Sequence, residues 1–378
     1  MAEQVDLTRF LLSFGAWAAG LSGGDRHLLE SAARWREHVE VEVLAPNNAR
    51  ETIFGFLGDV RFTARGWDNA LVTNGGPVLV AEYLRRAALA ELRPHKTDVV
   101  VAGSHFLPDA AAVHAAARYG AHGVAFIYHL VAERPDRSLR TRWSQADEAL
   151  GLRLLRGSAR TVFTSNEDTL NALERRGFKP IRTDVGLELA TFHKAEAAQA
   201  PPIALFVARL VPKKGLADLI EAWPRIHERV PAARLIVVGS GGERSTVQRQ
   251  VDKLGIGASI EWKGFVSEEE KRDLLSQARV FVAPSYEEGW GISVAEAMAS
   301  ALPVVAYRLP TLDEVFGDGY VTVNKGDIGG LADAVARLLM DDTEAANAAA
   351  LGAGSVARYD VGVVAEKELD AILSKSRG

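Results

Sequence analysis

The sequence predicts an α/β protein built as two tandem doubly wound domains, each a parallel sheet with helices on both faces. Three observations carry that expectation. The 378 residues exceed the ~250–300 at which one hydrophobic core stops growing. Short apolar runs alternate with longer amphipathic stretches, the pattern of parallel strands joined by crossover helices. The alternation breaks once, at Ala195–Pro202 (AEAAQAPP), which lacks large apolar residues and ends in a helix-resisting proline pair.

In order, the first half offers strands at Leu7–Phe14, Val39–Ala45, Val99–Gly103, Val124–Tyr128 and Thr161–Thr164. Helices are expected between them, at Asp25–Glu37, Ala110–Tyr119 and Asp168–Arg176, the last stopped by Gly177. Phe54–Pro77 is glycine-rich and shows no clear element; it reads as a loop. After the break come strands at Ile203–Val207, Arg234–Val238, Ile260–Lys263, Val280–Ala283 and Val304–Ala306. Their helices are Leu216–Arg229, Glu243–Leu254, Glu268–Gln277 and Ser293–Ala299. A helix after Ala332 and another over Asp360–Lys375 end the chain. Ligands of such sheets bind at the carboxyl ends of the strands, so a cleft between two facing sheets is the expected site.

Composition narrows the function. Apolar residues at 48% and charged residues at 25% are ordinary for a globular protein, and a net charge of -5 does not advertise a nucleic-acid partner. Zero cysteines exclude disulfides, thiolate metal sites and thiol catalysis, and fit a reducing, cytoplasmic compartment. Phe10–Ala19 has the length of a signal-peptide core, but Glu3 and Asp6 spoil a basic leader and the run enters Gly23-Gly24; a buried first strand is the better reading. No stretch approaches the ~18–20 apolar residues needed to span a bilayer.

The strongest chemical signal is EEGWGISVAEAMA at Glu287–Ala299, where Glu288 and Glu296 stand seven residues apart. Gly289 and Gly291 let backbone approach a ligand, and the helix is expected to begin near Ser293 as N-cap, its free N–H groups suiting a phosphate. Arg209 and Lys214 follow a strand end; a planar guanidinium and a mobile ammonium both suit a diphosphate. Lys213 is set aside in favour of Lys214. Gly23 and Gly24 precede the first long helix in a position to bring backbone amides to phosphate. His129 follows an apolar run at a strand's carboxyl end, and His105 holds a comparable place after the preceding strand. His27 reads as a helix-surface residue.

These segments resemble retaining glycosyltransferases of the GT-B fold, family GT4, whose E-x7-E signature matches Glu288 and Glu296. Ala208-Arg209-Leu210 with Lys213-Lys214-Gly215 resembles the family's GRL…KKG turn, with Ala208 in place of glycine. Val238-Gly239-Ser240-Gly241-Gly242 resembles its VGDGP turn, Gly264-Phe265-Val266 its base-contacting strand end, and Leu309-Pro310…Glu314 with Asp327 its late loop and helix start. The resemblance implies two Rossmann-like domains facing across a cleft: an acceptor domain over 1–198 and a donor domain over 199–359, with 360–378 packing back on the first. It implies hexose transfer, with retention, from a GDP- or UDP-sugar to a glycan, lipid-linked or small-molecule acceptor in envelope polysaccharide or glycoconjugate synthesis. Glu288 would hold sugar hydroxyls, Glu296 the ribose, and His129 would lie near the transferred sugar. Phe265, Val266, Gly289, Trp290, Gly291 and Ile292 would complete the donor site.

No D-x-D pair occurs and the nine histidines lack metal-ligand spacing, so neither a metal nor a further cofactor is expected. Arg134, Arg137, Arg140 and Arg142 with Trp143 suit an anionic acceptor, and His105 is a further acceptor candidate; the same patch would serve a peripheral contact at the inner membrane face. A non-catalytic nucleotide-sugar binder and a two-lobed solute-binding protein are the alternative readings.

Overall fold

The computed structural model describes residues 8–15, 21–65, 76–89, 98–130, 139–193 and 201–376. They divide into two compact units, Met1–Leu187 with Val361–Gly378, and Glu188–Asp360.

Unit 1 runs β1 (Arg9–Ser13), α1 (Gly23–Trp35), β2 (Glu40–Pro46), α2 (Arg50–Leu57), β3 (Arg61–Arg65), α3 (Gly76–Leu89), β4 (Val99–Ala102), α4 (Leu107–Ala117), β5 (His122–Phe126), α5 (Leu139–Ser158), β6 (Ala159–Thr164), α6 (Glu167–Arg175) and β7 (Ile181–Arg182). Its strands form one parallel sheet ordered β3-β2-β1-β4-β5-β6-β7. Successive strand residues point to opposite faces. Phe10, Leu12, Val99, Val101, Val124 and Phe126 therefore pack on one side with α1, while Val100, Ala102, Ala125 and Ile127 pack on the other against α4 and α5. Parallel strands covered on both faces must be apolar throughout, which is why these runs read as unbroken.

Unit 2 runs β8 (Ile203–Val207), α7 (Leu216–Arg229), β9 (Arg234–Val238), α8 (Arg244–Leu254), β10 (Ile260–Gly264), α9 (Glu268–Gln277), β11 (Val280–Ala283), α10 (Ile292–Ala299), β12 (Val304–Tyr307), α11 (Pro310–Phe316), β13 (Val321–Val323), α12 (Ile328–Met340) and α13 (Asp342–Val356). The sheet order is β10-β9-β8-β11-β12-β13, all parallel.

The final helix, α14 (Val361–Ser376), belongs to unit 1 and lies against α1. Buried Glu368 fixes it there. The Glu368 carboxylate accepts from His27 Nε2 at 2.9 Å, Ser31 Oγ at 2.9 Å and Thr183 Oγ1 at 2.7 Å. His27 Nδ1 accepts the Gly186 N–H at 3.1 Å, which leaves the ring proton on Nε2 to donate to Glu368. His27 is therefore a core residue, not the helix-surface residue its sequence position suggests.

Two further sequence expectations need correcting. Phe54–Pro77 is not an open loop from its start: it begins inside α2, contains β3, and meets α3 at Gly76. The strand read over Val124–Tyr128 is two residues earlier, His122–Phe126, so His129 lies in the following loop.

Candidate functional site

In an open α/β sheet, two loops diverge to opposite faces where the strand order reverses, and the crevice between them takes the ligand. In unit 2 this switch lies between β8 and β11. The loop after β8 carries Arg209 and Lys214, and the loop after β11 carries Glu288 and the start of α10. The topology thus brings together residues separated by more than seventy positions.

Their geometry is specific. Lys214 Nζ donates to Glu288 Oε1 at 2.6 Å, and Ser285 Oγ donates to the same oxygen at 2.7 Å. Lys213 turns the other way, to Glu287 at 2.7 Å on the exposed side. Two adjacent lysines thus meet two adjacent glutamates, and only the Lys214–Glu288 pair is shielded from solvent, with side chains 15% and 11% exposed. The Tyr286 N–H donates to the Lys213 carbonyl at 2.8 Å, so the loops are also tied through backbone. The hydroxyls of Tyr286 and Tyr307 both donate to Asp218 Oδ2, at 2.6 and 2.7 Å. That bond pushes the Tyr286 phenol up to about 12, and burial with the same carboxylate pushes Tyr307 further up. Both tyrosines stay protonated as donors.

The close approach of the loops requires glycine at position 215. Gly215 has φ +69°, and a Cβ there would lie 1.8 Å from the Pro284 carbonyl oxygen. Arg209 is exposed, and among the described residues its guanidinium makes no ion pair.

Helix α10 begins one residue earlier than expected. Its N-cap is Gly291, at φ +100°, with no side-chain cap, so Ser293 lies inside the first turn. An added Cβ at Gly291 would meet Leu312 Cδ2 at 2.7 Å. Gly289 differs: its added Cβ meets open space. Trp290 turns inward at 4% exposure, edge-on to Phe316 and Tyr359. Its indole is part of the core, packed between Phe316 and Tyr359.

Glu296, 3% exposed, sits on the second turn of α10 and receives Lys271 Nζ from α9 at 2.8 Å. Lys271 was not anticipated from the sequence. Ile292 is half-buried. Phe265 follows Gly264, at φ +68°, and is 87% exposed beside half-buried Val266. Arg244 lies over the Trp262 ring at 3.5 Å from its centroid, a cation–π contact on the neighbouring strand β10.

In unit 1 the switch lies between β1 and β4. Buried Asp109, on the first turn of α4, ties the two loops: it accepts from the Gly15 N–H, from Ser13 Oγ at 3.1 Å and from Ser104 Oγ at 2.6 Å. Ser22 caps α1 in a capping box with Asp25, whose carboxyl burial pushes up to about 6. Gly23 opens this helix. Gly24 has a packing reason of its own, since an added Cβ would meet the Tyr128 ring at 2.7 Å.

His129 is exposed, its ring edge-on to His105 with centroids 6.4 Å apart. His105 itself is 3% exposed and paired with Glu148 at 2.9 Å. It is a buried partner holding α5 to the β4 loop, not an open acceptor ligand. Arg134 and Arg137 lie outside the described residues. Arg142 and Trp143 are exposed on α5. Among the described residues no group of three or more His, Asp or Glu side chains could hold a metal ion, and no helix is long and apolar enough to cross a membrane.

Comparison with known proteins agrees with this architecture. The family described as Glycosyl transferases group 1 matches residues 190–352, which is nearly all of unit 2. A phosphatidyl-myo-inositol mannosyltransferase of Mycobacterium leprae is 36% identical over 167 residues, 43% of this chain and 44% of that protein. An O-antigen chain mannosyltransferase B of Escherichia coli is 30% identical over 145 residues, 37% of each chain. The chain thus spans about half or less of the length of the curated relatives it matches.

Among solved structures, a sucrose-phosphate synthase from Thermosynechococcus elongatus superposes with a TM-score of 0.79 at 18% identity, covering 97% of this chain and 98% of that one. Anabaena Alr3699/HepE, solved with UDP and glucose, superposes at 0.75 and 16% identity, covering 97% and 100%. Residues 190–352 thus match the model of the glycosyl transferases group 1 family, and the two parallel-sheet units share the fold of these solved structures.

Proposed function

We propose that the chain transfers a hexose from a nucleoside diphosphate sugar to a hydroxyl of a glycan or lipid-linked acceptor, with retention at the anomeric carbon and without a metal. The observation that carries this reading is the convergence, at the unit 2 switch point, of Lys214 and Arg209 with the Glu288 loop and the open N-terminus of α10. Cations and helix amides at one point suit a diphosphate, and hydrogen-bonding carboxylates beside them suit sugar hydroxyls. Gly289 is compatible with it, because among the described residues nothing lies within 4 Å of a Cβ added there, which leaves room beside the backbone for a ligand.

In the reaction proposed, the acceptor oxygen bonds to the anomeric carbon as the bond from that carbon to the diphosphate oxygen breaks. The acceptor's proton passes to the departing phosphate oxygen. Arg209, Lys214 and the α10 amides stabilise charge developing on the diphosphate, a role worth about 10²–10³ in rate per preorganised donor. Glu288 holds the sugar, Glu296 the ribose, and the exposed Phe265 with Val266 faces the base. The names of the curated relatives favour a mannosyl donor and an envelope glycolipid or polysaccharide acceptor, and those of the structural neighbours favour UDP.

The test is turnover of UDP- and GDP-linked glucose and mannose by purified protein, read by nucleotide release and by the anomeric configuration of the product. Glu288→Ala should abolish sugar transfer while nucleotide binding persists. Failure of every donor to bind or turn over would remove the assignment.

A further inference from the structure

The sequence makes Lys271 look like a solvated helix residue: it follows Glu268, Glu269 and Glu270 in the first turns of α9, and its pair with Glu268 at 2.9 Å is an ordinary i,i+3 contact. The structure gives it a second partner. Its ammonium, on a side chain 12% exposed, reaches Glu296 at 2.8 Å, and that side chain is 4% exposed. A carboxylate taken that far from water needs a counter-charge and a fixed geometry. The supplier comes from the helix that directly follows the Gly264–Phe265–Val266 strand end, with Ser267 as its N-cap accepting from the Glu270 N–H.

We propose that Lys271 is a positioning residue that aims the Glu296 carboxylate at the vicinal diol of a ribose, so that selection of ribo- over 2′-deoxyribonucleotides depends on it. This rests on the donor-site reading above. Two neighbouring hydroxyls can donate together to one carboxylate only if its plane is fixed, and an ammonium on Oε1 fixes it. Because α9 begins where the base-facing strand ends, Lys271 also links the orientation of the ribose ligand to that of the base platform.

The test is calorimetric binding of UDP and 2′-deoxy-UDP, and of GDP and 2′-deoxy-GDP, to wild type, Lys271→Met, Lys271→Arg and Glu296→Gln. Wild type should prefer the ribonucleotide of its cognate base by about tenfold or more, as expected for hydrogen bonds to a charged group. Lys271→Met should reduce the ratio to within about twofold while its affinity for the deoxynucleotide stays at the wild-type value. Lys271→Arg should restore the ratio, and Glu296→Gln should lower it.

Equal loss of affinity for both sugars in Lys271→Met would show a merely structural ion pair and overturn the proposal, as would a ratio equal to wild type. If Lys271→Met does not fold, Lys271→Gln, which keeps a donor without the charge, carries the same two outcomes. A wild type that binds none of the four nucleotides overturns the donor site itself and the role of Lys271 with it. A wild type that selects ribose while the variants select it equally overturns only the role of Lys271.

Discussion

Replacing Gly215 by alanine tests whether the two loops at the unit 2 switch point are held by backbone contact. The position has φ +69°, and the new Cβ would stand 1.8 Å from the Pro284 oxygen and 2.8 Å from its carbonyl carbon. Left-handed backbone costs a residue with a Cβ about 1–2 kcal/mol. Relieving an overlap of more than 1 Å against backbone adds about 1–3 kcal/mol, as overpacking does elsewhere. The sum is about 2–5 kcal/mol, a large share of the stability of a unit of this size. Near its melting temperature that corresponds to a fall of roughly 4–20 °C. Pro284 must retreat, and it leads directly into Ser285 and Glu288, so the Lys214–Glu288 bond should open with it.

Differential scanning calorimetry measures the first effect, and hydrogen exchange over residues 284–290 the second. Gly354→Ala is the control: the glycine lies in α13 with nothing within 4 Å of an added Cβ, so alanine should gain about 0.5–1 kcal/mol. A Gly215→Ala protein that melts with wild type and exchanges these amides at the wild-type rate would refute the reasoning.

Two further outcomes follow from unit 1. Glu368→Leu leaves the donors of His27, Ser31 and Thr183 buried without their acceptor, and should cost about 2–4 kcal/mol in urea unfolding, with α14 amides exchanging first; an unchanged midpoint would count against the network. Burial pushes the Asp147 carboxyl up to about 6, although it accepts the Leu107 N–H at 3.2 Å. A raised folded pKa means its stabilisation is complete below about pH 4 and is lost as pH rises through about 6. Asp147→Asn should therefore match wild type at pH 4 and gain on it above pH 6 by on the order of 1–3 kcal/mol; parallel pH–stability curves would exclude that role.

The second half of the chain was legible because its punctuation is local. Gly215, Gly255 and the acidic first turn of α9 mark element ends where backbone and charge demand them, and every strand from Ile203 to Val304 begins at the residue read from sequence. The first half hid its elements for identifiable reasons. Strand β3, RFTAR, is an edge strand with one large apolar residue, so it lacks the buried run by which its neighbours are recognised. Helix α5 contains Gly151, which looks like a breaker. In the structure an added Cβ there would meet the His105 oxygen at 2.0 Å, so the glycine serves close packing of the helix on the β4 loop. His27 and Lys271 escaped because their decisive partners, Glu368 and Glu296, come from distant parts of the chain. A local reading that already looks complete gives no reason to search for a distant one.

Alanine at 208, where the GRL…KKG turn it resembles has glycine, has a physical explanation in the crossing of two turns. Ala208 donates its N–H to the Val238 carbonyl at 3.1 Å, and Leu210 donates to Ser240 at 2.9 Å, so the chain after β8 runs alongside the chain after β9. The contact is asymmetric. At Gly239, φ +128°, a Cβ would lie 1.9 Å from the Ala208 oxygen. Ala208 is not among the residues of positive φ, and its own Cβ is already accommodated. The crossing takes two glycines, both in the turn after β9: Gly239, and Gly241, where a Cβ would lie 2.2 Å from the Leu210 oxygen. Ala208→Gly should consequently change stability by no more than about 1 kcal/mol, the backbone-entropy cost of the exchange. Gly239→Ala should cost about 2–5 kcal/mol by the same sum as at position 215. Chemical denaturation of both variants decides it: equal effects would mean that the two turns share the contact, and that alanine at 208 is tolerated for some reason other than this geometry.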